Sequence, residues 1–444
     1  MSNLFEDFKP ISLATWTDQI VKDLKGKDVS TLYFNDPIEE IDYKAFYHSD
    51  DASIPNSKPG SFPATRGSKT SNNDWTNAAY IKVDNAAEAN KHALKVLMQG
   101  ADMISFESSK VFDWTVVLNE VELNYIKAQF KVSSVKEALT ILEIAGEATN
   151  NIAFCFDAID VSDAIDLLPA MRNNQVSSFV VNGFGVQKCG ATSWQELAFA
   201  LATGHEALVQ IMKQGFEIDE AAAMIHFHIG VGSNYFNEIA KFRSLRMLWS
   251  KIIEAYHPKH DCSLNCAITA IIGHSNKSLK DPYTNLLRQT TEVMSASNGA
   301  DAILVLPYDL YSSKGASELA SRMALNISLI LKEESYFHHV LDPSGGSYTI
   351  EHLTSEVAKK AWETFQTIES KGGISQSAVL NELKQEILKK KSLRESKIAD
   401  GSNTLIGVNK FPDSKEHDVT WETVPGYLGM DAMQVDSINK TETV

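Results

Sequence analysis

Two histidines separated by one residue, His226 and His228 in "MIHFHIG" (224–230), carry the most direct suggestion of chemistry in this chain. Residues two apart on a β-strand point to the same side, and two neutral imidazoles on one side can chelate a metal. No third ligand follows in obvious register. The pair therefore fits two histidines hydrogen-bonded inside a barrel, and the sequence assigns no metal. "HPKHDCSLNC" (257–266) gathers two His and two Cys, but its C-x3-C pair stands alone between a helix end and a strand start. That is the non-catalytic face of a barrel, so a solvated loop with one buried cysteine is expected. "DPSGGSYTIE" (342–351), after a strand-like run, offers backbone N–H groups suited to an anion, although a Gly-rich turn often only turns.

"VNGFGVQKCGAT" (181–192) reads as the end of a buried strand, a Gly-rich turn and a helix. In an α/β barrel such a turn carries catalytic side chains, yet it holds no His, Asp, Glu or Ser before Gln187. The mouth of the fold is built and left almost without reactive groups.

The elements that must position these residues alternate along the chain from about Asp102 to Pro343. Strand-like apolar runs occur at 102–106, 114–118, 152–156, 178–182, 224–230, 266–272, 301–306 and 338–342. Eight such runs, the later ones followed by helical patterns, predict an α/β fold, a (β/α)8 barrel, although a doubly wound open sheet would show the same alternation. Ser193 and Glu196 fit a capping box for a helix running to about Met212. Residues 235–257 form a second helix, entered through "VGSN" (231–234) and too apolar to be fully exposed; its Arg243 and Arg246 share one face, in packing or salt-bridge roles. Asp281 and Pro282 are the expected N-cap and first residue of a third. Helices over 315–335 and 355–373 follow, the last stopped by Gly372 and Gly373.

Three regions result. Residues 1–75 hold a helix near Leu13 to Leu24, an extended aromatic segment and a Pro- and Ser-rich arm; 76–372 form the barrel; 373–444 form a charged helix and a polar, acidic tail expected to be disordered at its end.

Composition excludes several classes. A formal net charge of −16 is the wrong sign for nucleic acid. Four cysteines are too few for a disulfide scaffold. The start lacks a secretory pattern, and no apolar run reaches the roughly 18 residues of a membrane span, so a cytoplasmic location is expected.

"SNYFNEIAKFRSLRMLW" (233–249), "DPYTNLLRQTTEVMSASNGADAI" (281–303) and "LDPSGGSYTIEHLT" (341–354) strongly resemble the barrel domain of the methylmalonyl-CoA mutase family. "KPGSFPATRG" (58–67) is similar to that family's "PGxFPYTRG" arm, and "GFGVQKCGAT" (183–192) to its "GYHMQEAGAT". The likeness covers roughly residues 1–370. It implies a barrel that admits an acyl-CoA and a separate C-terminal domain holding adenosylcobalamin through an Asp-x-His-x-x-Gly motif. The implied reaction interconverts succinyl-CoA and (R)-methylmalonyl-CoA through radicals. In heterodimeric members one subunit does this work and a smaller relative does not.

The departures from the family pattern concern its functional residues. The family's catalytic His falls on Gly185, and its substrate-binding "RLS" falls on Met224, Ile225 and His226. The "TIQND" segment has no counterpart in 150–160, and Ala64 replaces the arm's Tyr. Tyr80 falls where a radical-shielding Tyr would, but without the surrounding "RQYAGFS". No Asp-x-His-x-x-Gly is present. The resemblance therefore implies a small, non-catalytic subunit with a vestigial site at Gly185, Gln187, Met224 and His226, no cofactor of its own, and a large subunit that holds the cobalamin. Residues 1–50, unable to bury Leu32, Tyr33, Phe34 and Phe46 on themselves, are expected to dock on that partner. Two other readings stay open: a competent mutase barrel served by a cobalamin domain in trans, and a metal-dependent barrel hydrolase using His226 and His228.

Overall fold

The alternation of strands and helices closes on itself. In the computed structural model, which describes residues 10–51, 58–174, 176–413 and 420–438, eight parallel strands form a closed barrel. They are β3 Thr76–Val83, β4 Met103–Ser108, β5 Lys127–Lys131, β6 Ile152–Asp157, β7 Ser177–Asn182, β8 Ile225–Gly230, β9 Ala267–Ile272 and β10 Ala302–Val305, with β10 paired to β3. Two short strands, β1 Phe34–Asp36 and β2 Ile41–Tyr43, pair antiparallel ahead of the barrel.

Six of the apolar runs are barrel strands and two are not. Residues 114–117 form a helical turn, because Asp113 caps it through Thr115 N and Trp114 and Val117 bury one face at i, i+3 spacing. Residues 337–339 form a 3-10 turn, with Val340 more than half exposed; the barrel already closes without it. The true first and third barrel strands, "TNAAYIKV" and "KAQFK", escape an apolar-run search because Tyr80, Gln129 and Lys131 on them point into a polar bore. The strand bearing His226 and His228 is consequently the sixth of the barrel, not the fifth.

The outward faces carry the core. Phe106, Phe130 and Phe154 stand on adjacent strands with ring centroids 5.4 and 6.1 Å apart, and Trp114 packs edge-on to the first two. Each such buried ring contributes roughly 1.5–3 kcal/mol. The helix Ser193–Lys213 opens with a capping box, one residue earlier than expected, from Thr192 and Gln195. This leaves Glu196 free to run inward, where it accepts from Gly230 N and Lys241 Nζ. The helix Tyr235–Glu254 is buried along most of its length, and its charges are paired inside. Lys241 contacts Glu196, Glu238 and the Gly230 carbonyl within 2.8 Å. Burial alone would lower its pKa, but the two carboxylates hold it above the ordinary lysine value.

Arg243 bonds Asp342 and Glu351, and Arg246 bonds Asp301 with the carbonyls of Cys266 and Gly299. The "DPSGGS" turn is therefore a clamp on the barrel's flank. It follows no strand, and its Gly345, Gly346 and Ser347 N–H groups donate within the chain, to the Asp342 carbonyl, Glu351 and the Ser344 carbonyl. The third helix is capped two residues later than predicted: Tyr283 is its N-cap, and Asp281 still binds the Thr284 hydroxyl and N–H.

The N-terminal arm divides its contacts. Ile38, Glu39 and Ile41 are buried on the chain's own barrel, Glu39 accepts from Ser193 N at 3.0 Å, and Tyr43 meets Asn234 at 2.7 Å. This part corrects the expectation of a wholly partner-bound arm: the Ser193–Lys213 and Tyr235–Glu254 helices supply the seat. The helix Leu13–Asp23 buries none of its residues, and Trp16, Leu32 and Phe34 remain 43, 43 and 62% exposed. Trp16 stacks on Phe46 with centroids 5.5 Å apart.

At the other end, the helix Ser377–Ala399 buries Val379, Leu383 and Ile387 in the barrel's own core cluster. The tail then turns back over the C-terminal ends of the strands. Among the described residues no helix is long and apolar enough to cross a membrane.

Candidate functional site

The bore opens, at the C-terminal ends of the strands, into a cavity of about 240 Å³, the place where barrels keep their chemistry. One wall is apolar, from Ile271, Leu304 and Leu306. The opposite wall is polar. Tyr80 donates to Glu107 at 3.0 Å, and Lys131 reaches the other oxygen of that carboxylate at 2.7 Å. Burial pushes the Glu107 carboxyl up, but Lys131 and the Tyr80 hydroxyl together hold it below its ordinary value. Lys131 is 60% exposed, so the cavity meets solvent on this side.

Deeper in, Gln129 donates to Thr269 at 3.2 Å and its Oε1 lies 3.1 Å from His228 Nε2. His226 Nδ1 lies 2.9 Å from Ser177 Oγ, and its Nε2 lies 3.9 Å from Cys155 Sγ. The two imidazoles stand edge to face, centroids 5.2 Å apart. Burial pushes His226 down to about 4 and His228 well below its ordinary value, so both are neutral.

The mouth above Gly185 is occupied by the chain's own tail. Gly185 sits in the short helix Gly183–Lys188, started by Asn182, whose Oδ1 accepts from Gly185 N. Tyr427 lies over it. A Cβ added at Gly185 would come within 2.5, 2.6 and 2.9 Å of three atoms of the Tyr427 ring, where contacts between real side chains stay beyond about 3.4 Å. The Tyr427 hydroxyl donates to Asp157 Oδ2 at 2.7 Å. Burial raises the Asp157 carboxyl, opposed by this bond.

A tight reversal aims the ring. Tyr427 and Met430 exchange both backbone hydrogen bonds at 2.9 Å, with Leu428 and Gly429 at φ 52° and 76°. That is a turn with both central residues left-handed; Gly429 adopts it freely, while Leu428 is a strained exception of order 1 kcal/mol. The tail is then stitched across the mouth. Glu422 N–H donates to the Tyr311 carbonyl at 2.8 Å and Met433 N–H to the Lys188 carbonyl at 2.8 Å. Asp436 accepts from Leu279 N and Trp421 Nε1, each at 2.7 Å.

The residues singled out in the sequence do not converge. Gly185 is at the mouth and His226 in the bore. Gln187 instead packs against Gly230 and lines a separate cleft with Glu196 and Lys241. Met224 is buried at the opposite, N-terminal end of β8, its carbonyl accepting from Ser178 and Phe179. Tyr80 does face the cavity, beside Glu107. In the "HPKHDCSLNC" loop, Cys262 is exposed and Cys266 buried. Sequence reading missed Cys155, Asp157, Glu107, Lys131 and Tyr427. The last had a signal: Val424, Met430, Met433 and Val435 are apolar residues in a tail taken as polar, and all four are buried.

A closed, eight-stranded parallel barrel with its cavity at the C-terminal strand ends defines the class as a (β/α)8 barrel. Residues 158–443 match the family model described as methylmalonyl-CoA mutase. The chain is 31% identical to the methylmalonyl-CoA mutase small subunit of Porphyromonas gingivalis (strain ATCC BAA-308 / W83), over 93% of this chain and 72% of that one. It is 27% identical to the methylmalonyl-CoA mutase of Cereibacter sphaeroides, over 91% of this chain but 65% of that one. It also matches, at 30% identity over 54% of its length, 32% of a methylmalonyl-CoA mutase large subunit from Streptomyces virginiae. The chain belongs to the methylmalonyl-CoA mutase family.

Proposed function

We propose that this chain is the small subunit of a heterodimeric, adenosylcobalamin-dependent methylmalonyl-CoA mutase, where it stabilises a catalytic large subunit and has no turnover of its own. The observation that carries this reading is Tyr427 seated over Gly185. At the position where the family resemblance puts a catalytic His there is no side chain, and the space one would need is filled by an aromatic ring. Glycine offers no proton and no side-chain hydrogen bond to a thioester carbonyl.

The residues present do not fit adenosylcobalamin. A cavity of about 240 Å³ is below the roughly 300–1,000 Å³ of sites for even drug-sized ligands. A corrinoid laid across the strand ends would displace the tail hydrogen-bonded there. No step is therefore routed through the cofactor on this chain; in this reading the partner holds it. The likeness to the Porphyromonas gingivalis small subunit supports the same assignment, as does the exposed apolar surface of Trp16, Leu32 and Phe34, which a partner subunit would cover. A barrel served by a cobalamin domain in trans would need this mouth cleared.

The test uses the purified chain, alone and mixed with a large subunit of the family. Alone, it is expected to leave the absorption spectrum of adenosylcobalamin unchanged and to isomerise no methylmalonyl-CoA; mixed, it should co-elute with the large subunit. Turnover or a bound-cobalamin spectrum from the chain by itself would overturn the assignment.

A further inference from the structure

His226 and His228 lack a third ligand only along the sequence. Two strands away, β6 turns Cys155 toward the same spot. One donor atom from each of Cys155, His226 and His228 lies within 4.8 Å of the other two. We propose that these three side chains form a binding site for one zinc ion in the floor of the bore.

The hydrogen bonds around the rings prepare them for this. The Gln129 amide nitrogen donates to Thr269, so its oxygen is the atom facing His228. That oxygen can only accept, which puts the His228 proton on Nε2 and leaves the Nδ1 lone pair free. Ser177 holds His226 Nδ1 at 2.9 Å and thereby turns Nε2 toward Cys155. A metal-ligating imidazole is normally fixed in this way through its second nitrogen. Both rings are neutral, the form that binds metal, and neither has to lose a proton first.

The distances are close to what is needed. Zinc bonds of about 2.3 Å to sulfur and 2.0–2.1 Å to nitrogen in a tetrahedron put the S and N atoms roughly 3.5 Å apart. Cys155 and His226 are at 3.9 Å, so side-chain rotation of a few tenths of an ångström closes that pair, and the widest separation closes by about 1 Å. Burial holds the Cys155 thiol up at about 12. The ion therefore displaces the proton itself: the S–H bond breaks, the Zn–S bond forms and one proton leaves to solvent. The fourth position faces the cavity, which Cys155 and His228 line and which solvent reaches past Lys131. Three protein ligands and one open position are an arrangement zinc commonly takes. The site shares no residue with the Tyr427–Gly185 contact, so it stands whether or not the chain turns over.

The experiment titrates the full chain, stripped with a chelator, with Zn²⁺ against a chromophoric competitor and with Co²⁺ by absorption. One equivalent should bind, and Co²⁺ should develop a thiolate-to-cobalt charge-transfer band. Cys155→Ser should abolish that band and weaken Zn²⁺ by more than about 100-fold. Ser177→Ala, which removes no ligand atom but frees His226 Nδ1, should weaken it by roughly 10–100-fold and serves if the cysteine variant does not fold. Cys262→Ser, on the exposed loop, should change neither readout. Absence of stoichiometric binding, or a band that survives Cys155→Ser and is lost in Cys262→Ser, would overturn the proposal.

Discussion

If Tyr427 is what fills the space at Gly185, the effect of adding one methyl group there must depend on whether Tyr427 is present. In the native chain the Gly185→Ala methyl lies as close as 2.5 Å to the ring. Overpacking of this kind costs about 1–3 kcal/mol. Relief comes only by lifting Tyr427 away from Asp157, which breaks the 2.7 Å hydrogen bond. Against this, alanine within the helix Gly183–Lys188 is favoured over glycine by up to about 1 kcal/mol. The net expectation is a loss of about 1–2 kcal/mol. At roughly 2.1 cal/mol/K per residue, a chain of 444 residues should lose about 1–2 °C in Tm.

In a Tyr427→Ala background the clash is gone and the helix preference remains. The same Gly185→Ala change should then raise Tm by up to about 1 °C, a reversal of sign with a coupling of roughly 2–3 kcal/mol. Scanning calorimetry on the four proteins measures this. Chymotrypsin cleavage at Tyr427 should also quicken in Gly185→Ala alone, because the ring has been pushed out. Equal destabilisation by Gly185→Ala in both backgrounds would refute the reasoning and with it the tail as occupant of the mouth.

Two further outcomes are expected. His274 is buried, donates through Nε2–H to the Pro307 carbonyl at 2.9 Å, and packs on Tyr311 and Trp421; burial lowers its pKa to about 4. The unfolded chain thus takes up this proton near pH 6.5 and the folded chain does not, so stability is lost as pH falls from about 6.5 to 4, by about 2 kcal/mol at pH 5. His274→Gln should flatten the dependence of Tm on pH between 7 and 5, and an unchanged slope would remove this histidine as its source. The exposed Trp16 and Phe34 contribute little to the isolated fold, so the pair of changes Trp16→Ala and Phe34→Ala should leave Tm within about 1 °C yet weaken association with a large subunit at least tenfold by calorimetric titration; unchanged affinity would place the interface elsewhere.

The sequence by itself determined the alternation of strands and helices, since six of its mainly apolar runs are the strands β4 and β6 through β10; that the sheet closes into a barrel was decided by the tertiary structure. It also determined the family through long motifs, and the structure gives those motifs a physical role. Arg243, Arg246, Asp342 and Glu351, with the partly exposed Asp301, are partners of one another or of main-chain carbonyls, so they form the framework and not the site. The absence of a side chain at Gly185 was equally legible. The two strands that escaped, β3 and β5, turn Tyr80, Gln129 and Lys131 toward the bore and show no long apolar run. Their pattern follows a bore that exists only once the sheet has closed.

Tertiary structure alone decided what stands in that bore. Cys155 is 71 residues from His226, and Tyr427 is 270 residues from Asp157. No periodicity links such positions, since the first pair meets because β6 and β8 flank β7 in a curved sheet, and the second because a terminal tail folds back over the strand ends. Local spacing fixes which side of a strand a residue faces. Which distant residues share that side is set by strand order and closure.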